Sequence, residues 1–303
     1  MIGDYNGLFL ARATESALTG RGGGGVVTST LLHLLREGAI DKALVTTASR
    51  KEPWAEPALV DTEEEVRKAA GSKYTRVDYR GQLGGLTWRS AAVGLPCQLR
   101  ARFCSKIRIG LFCGLNLSPV GYDHLFHKLG FGREEIEFLE YRAPQQDYLD
   151  IRLKDGRRIT YPRYYWLAYF YPYKRCIYCQ DFTNRASDLS VGDFQPGWSC
   201  VITRTETGRQ TLIAAERKGL VTLEELPLAR FVEVKAASLF HKEVMGGYWR
   251  TRFVRPRGKL FRMVPLRILR WKGIRYGRQL AERSRRYFER EVAGEPPAPP
   301  PVA

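Results

Sequence analysis

The sequence contains nothing close to the ~18–20 consecutive apolar residues that a membrane-spanning helix requires, so no such span is expected. Its opening, Met-Ile-Gly-Asp-Tyr-Asn, lacks the basic region and apolar run of a secretory signal. The expected location is cytoplasmic, with peripheral contact at a membrane surface as a variant of that reading. Cysteine is sparse, with six in 303 residues. That is too few for a disulfide scaffold, and thiols kept reduced are free to hold a metal. Histidine is scarcer still, at four. The pair His124 and His127 has no carboxylate or third histidine at helical spacing to complete a metal site, so surface or packing roles are expected. Acidic residues are short of basic ones, 32 against 49, for a net charge of +17. The shortage is local, because fifteen of the bases and two of the acids fall between Arg250 and Arg290. The rest of the chain is close to balanced, so any basic partner-binding property belongs to an appendage and not to the body.

What is present is organised around Arg175-Cys-Ile-Tyr-Cys-Gln-Asp181 and the Ser187-Asp-Leu-Ser-Val-Gly-Asp193 stretch that follows it. Cys176 and Cys179, two residues apart, can turn both sulfurs toward one soft metal centre. Two further cysteines stand in matching contexts, Gly94-Leu-Pro-Cys97-Gln98 and Gly110-Leu-Phe-Cys113-Gly114, each closing an apolar run. The runs Ala91–Leu95 and Ile107–Phe112 are separated by about a helix's worth of residues, 98–106. That spacing predicts a strand-helix-strand crossover with parallel strands, whose carboxyl ends bring Cys97 and Cys113 to one edge of the sheet. Four thiolates suit zinc or an iron–sulfur cluster; one close pair and two single ligands fit a cluster better than a zinc ribbon. Cys104, within the connecting helix, and Cys200 read as buried thiols outside the ligand set.

The other candidates each carry two readings. Gly22 to Gly25 precede a helix expected over Val26 to Glu37. Glycines there leave backbone N–H groups open to a phosphate, with Thr28 as an added hydroxyl donor, or they form a plain flexible loop. His33 falls inside that helix as a packed or surface residue. Thr62 and Glu65 have capping-box spacing at the start of a second helix that ends near Gly71. The turn after it, Gly71-Ser72-Lys73-Tyr74, either presents a hydroxyl and a cation to an anion or is a helix stop with a solvated lysine. Asp188 and Asp193 either orient a cofactor hydroxyl or hydrogen-bond turns. Arg204 grips a phosphate or makes a structural ion pair. Residues 161–173 hold eight aromatics in thirteen positions, a core signal more often than a ring-stacking one. Residues 1–20 show little pattern and read as a lead-in packed on the body, whereas 147–161 alternate about Asp155-Gly156 as a hairpin.

These motifs, in this order from Gly22 to Leu228, resemble the coenzyme F420 hydrogenase/dehydrogenase beta-subunit family of flavin and iron–sulfur oxidoreductases. The resemblance implies FAD held by Gly23, Gly24, Gly25 and Thr28, with Ser72, Lys73, Asp188, Asp193 and Arg204 as further contacts. It also implies one [4Fe-4S] cluster on Cys97, Cys113, Cys176 and Cys179. Electron transfer would then run between reduced coenzyme F420, or a ferredoxin, and a partner or substrate. A flavin suits that role because it takes hydride in one step and releases electrons singly. Fuller members of the family carry an N-terminal ferredoxin-like stretch, but no cysteine precedes Cys97 here, so electrons would leave to a separate protein. The expected fold is α/β, with a mixed, partly parallel sheet and flanking helices, plus a basic, mostly helical C-terminal extension. The expected divisions are 1–88, 89–240, 241–293 and a disordered proline-rich tail, 294–303. An acidic ferredoxin-like carrier is the expected partner of the basic extension, with an anionic membrane surface next. Nucleic acid is not expected, for want of a binding fold. The competing class is a zinc-holding structural protein with a nucleic-acid- or membrane-binding C-terminus.

Overall fold

The computed structural model describes residues 2–19, 23–143, 148–162 and 164–246. Gly22, the greater part of the expected basic extension and the whole proline-rich tail lie outside them. The described residues form two compact units, one within 2–176 and 181–225 and the other made by 177–180 with 226–246.

The main sheet of the first unit is built from eight strands: β1 (Gly7–Ala13), β2 (Lys42–Ala48), β3 (Ala55–Val60), β4 (Ser90–Gly94), β5 (Ile107–Leu111), β9 (Leu189–Gln195), β10 (Trp198–Thr203) and β11 (Val221–Glu225). Their order across the sheet is β11-β1-β10-β9-β5-β4-β2-β3. The central four, β2, β4, β5 and β9, are parallel, and antiparallel pairs flank them on both sides. A second, three-stranded antiparallel sheet holds β6 (Ile136–Tyr141), β7 (Tyr148–Leu153) and β8 (Arg158–Pro162). The hairpin β7–β8 turns at Gly156, whose φ of 88° only glycine adopts without strain. The mixed sheet with flanking helices is the architecture expected from the sequence.

Successive side chains of the central strands point to opposite faces of the sheet, and on β4 both faces are buried. On β4, Ala91 and Val93 join one core with Val26, Leu31 and Leu34 of α1 (Val26–Arg36), Val66 of α2 (Glu63–Lys68), and Leu212 and Ala215 of α7 (Glu206–Arg217). Ala92 faces the other way, toward Val77, Tyr79, Leu86 and Leu99. Each fully buried leucine or valine of α1 contributes roughly 1.5–3 kcal/mol, which holds the helix to the sheet despite its lack of a side-chain N-cap. Thr62 and Glu65 close the expected capping box on α2. A third core unites α4 (Pro119–Leu129) and α5 (Leu167–Phe170) with the small sheet through Leu125, Phe126, Leu149, Ile151 and Tyr164.

Three local expectations change. Residues 7–13 are not a lead-in; they are an interior strand of the main sheet, whose alternation is masked by Gly7, Ala11 and Ala13. The connection between β4 and β5 is helical only over α3 (Pro96–Leu99), where Pro96 starts the turn, and it leaves Cys104 exposed instead of buried. Cys200 is fully buried on β10, as expected of a packed thiol.

In the second unit, α8 (Leu228–Leu239) continues without a break into a π-helical turn, Phe240–Met245. The expected division after residue 240 falls inside this run. α6 (Lys174–Ile177) carries Cys176 and ends where the second unit begins.

Candidate functional site at the carboxyl edge of the sheet

Strand direction decides which candidates meet. β1 is antiparallel to β10, and β10 is antiparallel to β9, so β1 points the same way as the parallel block. Register sets Ala11 opposite Ser199, and Ser199 opposite Asp193. The carboxyl ends of β1, β4, β5 and β9 therefore share one edge, the usual place for ligands in open α/β sheets. The glycine loop, Cys97, Cys113 and Asp193 all lie on it. Asp188 does not, because it precedes β9 at the opposite end. It is a staple there: its carboxylate accepts from Arg108 N at 2.7 Å and from the Thr205 hydroxyl at 2.7 Å, joining β5 to the start of α7. Of its two readings, the turn-holding one describes its contacts.

The glycines of the loop differ in what they do. Gly24 donates its N–H to the Ser199 hydroxyl at 2.9 Å and accepts from Ala13 N at 2.5 Å. A Cβ on Gly24 would lie 2.5 Å from the Ala11 carbonyl and 2.8 Å from Ser199 N, so this glycine is required by close backbone packing. Gly25 is the N-cap of α1 at φ 69°. Gly23 faces side chains: its Cβ would meet Asp193 Oδ1 at 2.9 Å and Ser199 Oγ at 3.3 Å. It thus borders a polar recess at the start of α1, and partly buried Thr28 sits in the first turn of that helix. A cradle that a Cβ would fill, at a helix start with no side-chain cap, fits a phosphate group.

Asp193 is held from the other side by Arg142, with which it forms an ion pair. Arg142 is almost fully buried and has φ 63°, a left-handed conformation uncommon for a residue with a long side chain and costly by ~1–2 kcal/mol. Its guanidinium also lies 5.6 Å from the Tyr74 ring centre. Burial works against its charge, but Tyr74 and Asp193 outweigh that and raise its pKa. Burial raises the pKa of Tyr74 and Tyr164 as well, so both hydroxyls stay protonated. These two tyrosines, with Tyr122, Tyr165, Gly114, Leu115, Leu117 and Ala168, line a cavity of about 160 Å³. Part of the aromatic run thus packs the core and part borders the cavity. Arg142, Tyr74 and Ser199 escaped the sequence reading, since a lone arginine after a strand carries no motif.

Two expected anion contacts have other work. Lys73 caps the carboxyl end of α2, donating to the carbonyls of Ala69, Ala70 and Gly71 at 2.5, 2.9 and 3.1 Å. It is a helix stop as one reading held, but partly buried instead of solvated, and burial lowers its pKa to about 8. Ser72 stands in the same turn, two residues before Tyr74, which lines the cavity. Arg204 donates to Ser190 Oγ (2.6 Å), the carbonyls of Ile2 (2.8 Å), Asp4 (3.0 Å) and Thr183 (3.1 Å), and Thr183 Oγ1 (2.9 Å). Those contacts occupy all five of its N–H donors, so it fastens the N-terminal segment and has none to spare for a phosphate. Burial lowers its pKa to about 10.

The thiol loops are tied together by backbone. Gly94 and Gly110 are paired at the ends of β4 and β5, and Asn184 bridges the two strand ends by donating to Gly94 O at 2.8 Å and Leu111 O at 3.5 Å. Cys113 N donates to Phe182 O at 2.9 Å, and Leu117 pairs with Pro172. The Cys113 loop is thereby bound on both sides of the Cys176 segment. Arg100, just after Cys97, pairs with fully buried Asp181 at 3.2 Å, so the Cys97 loop is anchored beside Phe182 too. Cys97 is exposed, and Cys113, Cys176 and Cys179 are partly buried. Cys179 belongs to the second unit. Among the described residues, no three His, Cys, Asp or Glu side chains form a metal-holding group. The donor chemistry nonetheless suits a soft centre, and the buried oxygens Asn116 Oδ1 and Asn184 Oδ1, either side of the Cys113 loop, have no hydrogen-bond partner.

The architecture is that of an open α/β sheet with its chemistry-bearing loops gathered at one carboxyl edge. Comparison with known proteins narrows this to one family. Residues 8–83 match the N-terminal part, and residues 88–228 the C-terminal part, of the family described as coenzyme F420 hydrogenase/dehydrogenase, beta subunit. The chain belongs to this coenzyme F420 hydrogenase/dehydrogenase beta-subunit family. Its relatives include the coenzyme F420 hydrogenase subunit beta of Methanothermobacter thermautotrophicus, 27% identical over 73% of this chain and 84% of that one. The coenzyme F420-dependent sulfite reductase of Methanocaldococcus jannaschii is 31% identical over 73% of this chain but only 38% of its own length. In structure, the chain is similar to one in the F420-reducing [NiFe] hydrogenase complex from Methanosarcina barkeri. The TM-score is 0.66 at 20% identity, covering 85% of this chain and 96% of that one. Among the described residues no helix is long and apolar enough to cross a membrane.

Proposed function

We propose that the chain is a flavin- and iron–sulfur-dependent oxidoreductase that moves electrons between reduced coenzyme F420 and a separate redox partner. The observation that carries this reading is the gathering of the glycine loop at the start of α1, the Arg142–Asp193 pair and two thiol loops on one sheet edge. Gly23, Gly25 and Thr28, at the start of α1, would hold the phosphates of FAD, with Asp193 beside them. Cys97, Cys113, Cys176 and Cys179 would hold a [4Fe-4S] cluster. Bound there, the flavin would exchange hydride on one side and single electrons on the other.

The chain's own residues prepare the site. Arg142 pairs with Asp193 beside the cradle, and Tyr74 and Tyr164 line the cavity. Asn184 and Asp181 hold the ends of the thiol loops. The deciding experiment is an absorption spectrum with iron, sulfide and flavin determination after anaerobic purification. Flavin and cluster bands are expected; a colourless, zinc-loaded protein overturns the reading.

A further inference from the structure

The family match ends at residue 228, yet the helical run that follows returns to the cysteine pair. Within the second unit, the π-helical turn Phe240–Met245 lies against the loop that carries Cys179. Gln180 Nε2 donates to the Glu243 carbonyl at 3.5 Å. Buried Gly246, at the end of the turn, has no room for a side chain: a Cβ there would lie 2.5 Å from Cys179 O and 3.6 Å from Ile177 O. Both neighbours are backbone, so neither can swing aside. π turns are rare and occur mostly where a site uses the extra residue. The same turn carries Lys242, 1% exposed, and a lysine is almost never so buried unless paired. Two costly features thus converge on a stretch packed against the backbone of a candidate ligand.

We infer that the turn Phe240–Gly246 is the positioning element for Cys179, fixing the peptide of the second cysteine and thereby aiming its thiolate. This rests on the reading of Cys179 as a cluster ligand. Gly246 and Gln180 are positioning residues: Gly246 abuts the ligand's backbone, and Gln180, the residue after Cys179, ties its loop to the Glu243 carbonyl. The close approach of Gly246 sets how near the turn comes, and the Gln180 bond sets its register.

The test uses the full chain, reconstituted anaerobically with iron and sulfide, as Gly246→Ala and Gln180→Leu. Iron per chain, cluster midpoint potential and the alkylation rate of Cys179 in metal-free protein are measured, with Cys104 as internal control and circular dichroism as the check on folding. Folded Gly246→Ala is expected to hold less than half the wild-type iron, or to show a shifted potential. Its Cys179 alkylation rate should change at least threefold while that of Cys104 stays constant. Wild-type iron, potential and Cys179 alkylation in folded Gly246→Ala would overturn the inference. Should that variant not fold, Gln180→Leu decides by the same three readouts. If wild-type protein takes up no cluster, the proposed function fails, and the alkylation rates still decide whether this turn governs Cys179.

Discussion

At the scale of single residues, buried Arg142 and partly buried Arg204 have opposite tasks that one motif search would treat alike. Arg204 spends its fork on five protein acceptors. Arg204→Lys keeps the charge but offers three donors without the planar geometry, so it is expected to lose about 2 kcal/mol or more of stability. Flavin per folded chain should stay at the wild-type level, which urea unfolding paired with flavin determination would check. A folded variant depleted of flavin would return Arg204 to the phosphate. Arg142 sits where stability and site geometry meet. Removing it leaves Asp193 without its ion-pair partner, and Arg142→Met should destabilise by roughly 2–3 kcal/mol. In a double-mutant cycle with Asp193→Asn the coupling should exceed about 1 kcal/mol, and additive losses would show that the pair is incidental.

At the scale of elements, the glycine loop shows what a sequence can and cannot tell. Its place before α1 was legible, because glycines followed by periodic Val27, Leu31 and Leu34 predict a helix start. The division of labour within it was not, since that depends on β10, some 175 residues away in the Gly24–Ser199 bond. Gly24→Ala pushes a methyl into two backbone atoms and should cost about 1–3 kcal/mol or more, whatever binds there. Gly23→Ala meets side chains that can yield, so it should keep near-wild-type stability and purify with markedly less flavin. Full flavin occupancy in Gly23→Ala would move the cradle elsewhere. The parallel crossover of β4 and β5 was readable from two apolar runs and their spacing. β1 was not, for alanines and a glycine hide its alternation, and its status as an interior strand comes from partners at the far end of the chain. Helix α1 also carries a pH signature. His33 is buried, and burial lowers its pKa below 6.5. The unfolded chain therefore takes up a proton first as pH falls through 6.5, and stability drops on that side. Replacing His33 with leucine should flatten that acid slope in thermal melts between pH 7 and 5.

For the molecule as a whole, the basic surplus beyond Arg250 and the sheet-edge site invite separate tests. Ending the chain after Gly246 keeps the turn that meets Cys179 and removes residues 247–303. That form should retain flavin and cluster absorption but reduce an acidic ferredoxin-like carrier more slowly, with the salt dependence of the step lost. Unchanged carrier kinetics, together with binding of the full chain to anionic vesicles, would assign the segment to a membrane surface. The place of β1 between β10 and β11 has a temporal consequence. Gly7 pairs with Thr203, so the strand's partner is synthesised nearly 200 residues after it. At about 5–20 residues per second, this apolar strand waits on the order of 10–40 s for its neighbours to be made. Until then Leu8 and Leu10 have no sheet to enter, and Gly24 has no Ser199 to hold it. The cradle cannot form before Ser199 is made, so a cofactor held there would be acquired only after β10 is in place, and whatever shields the first strand until then determines how much of the protein reaches that moment.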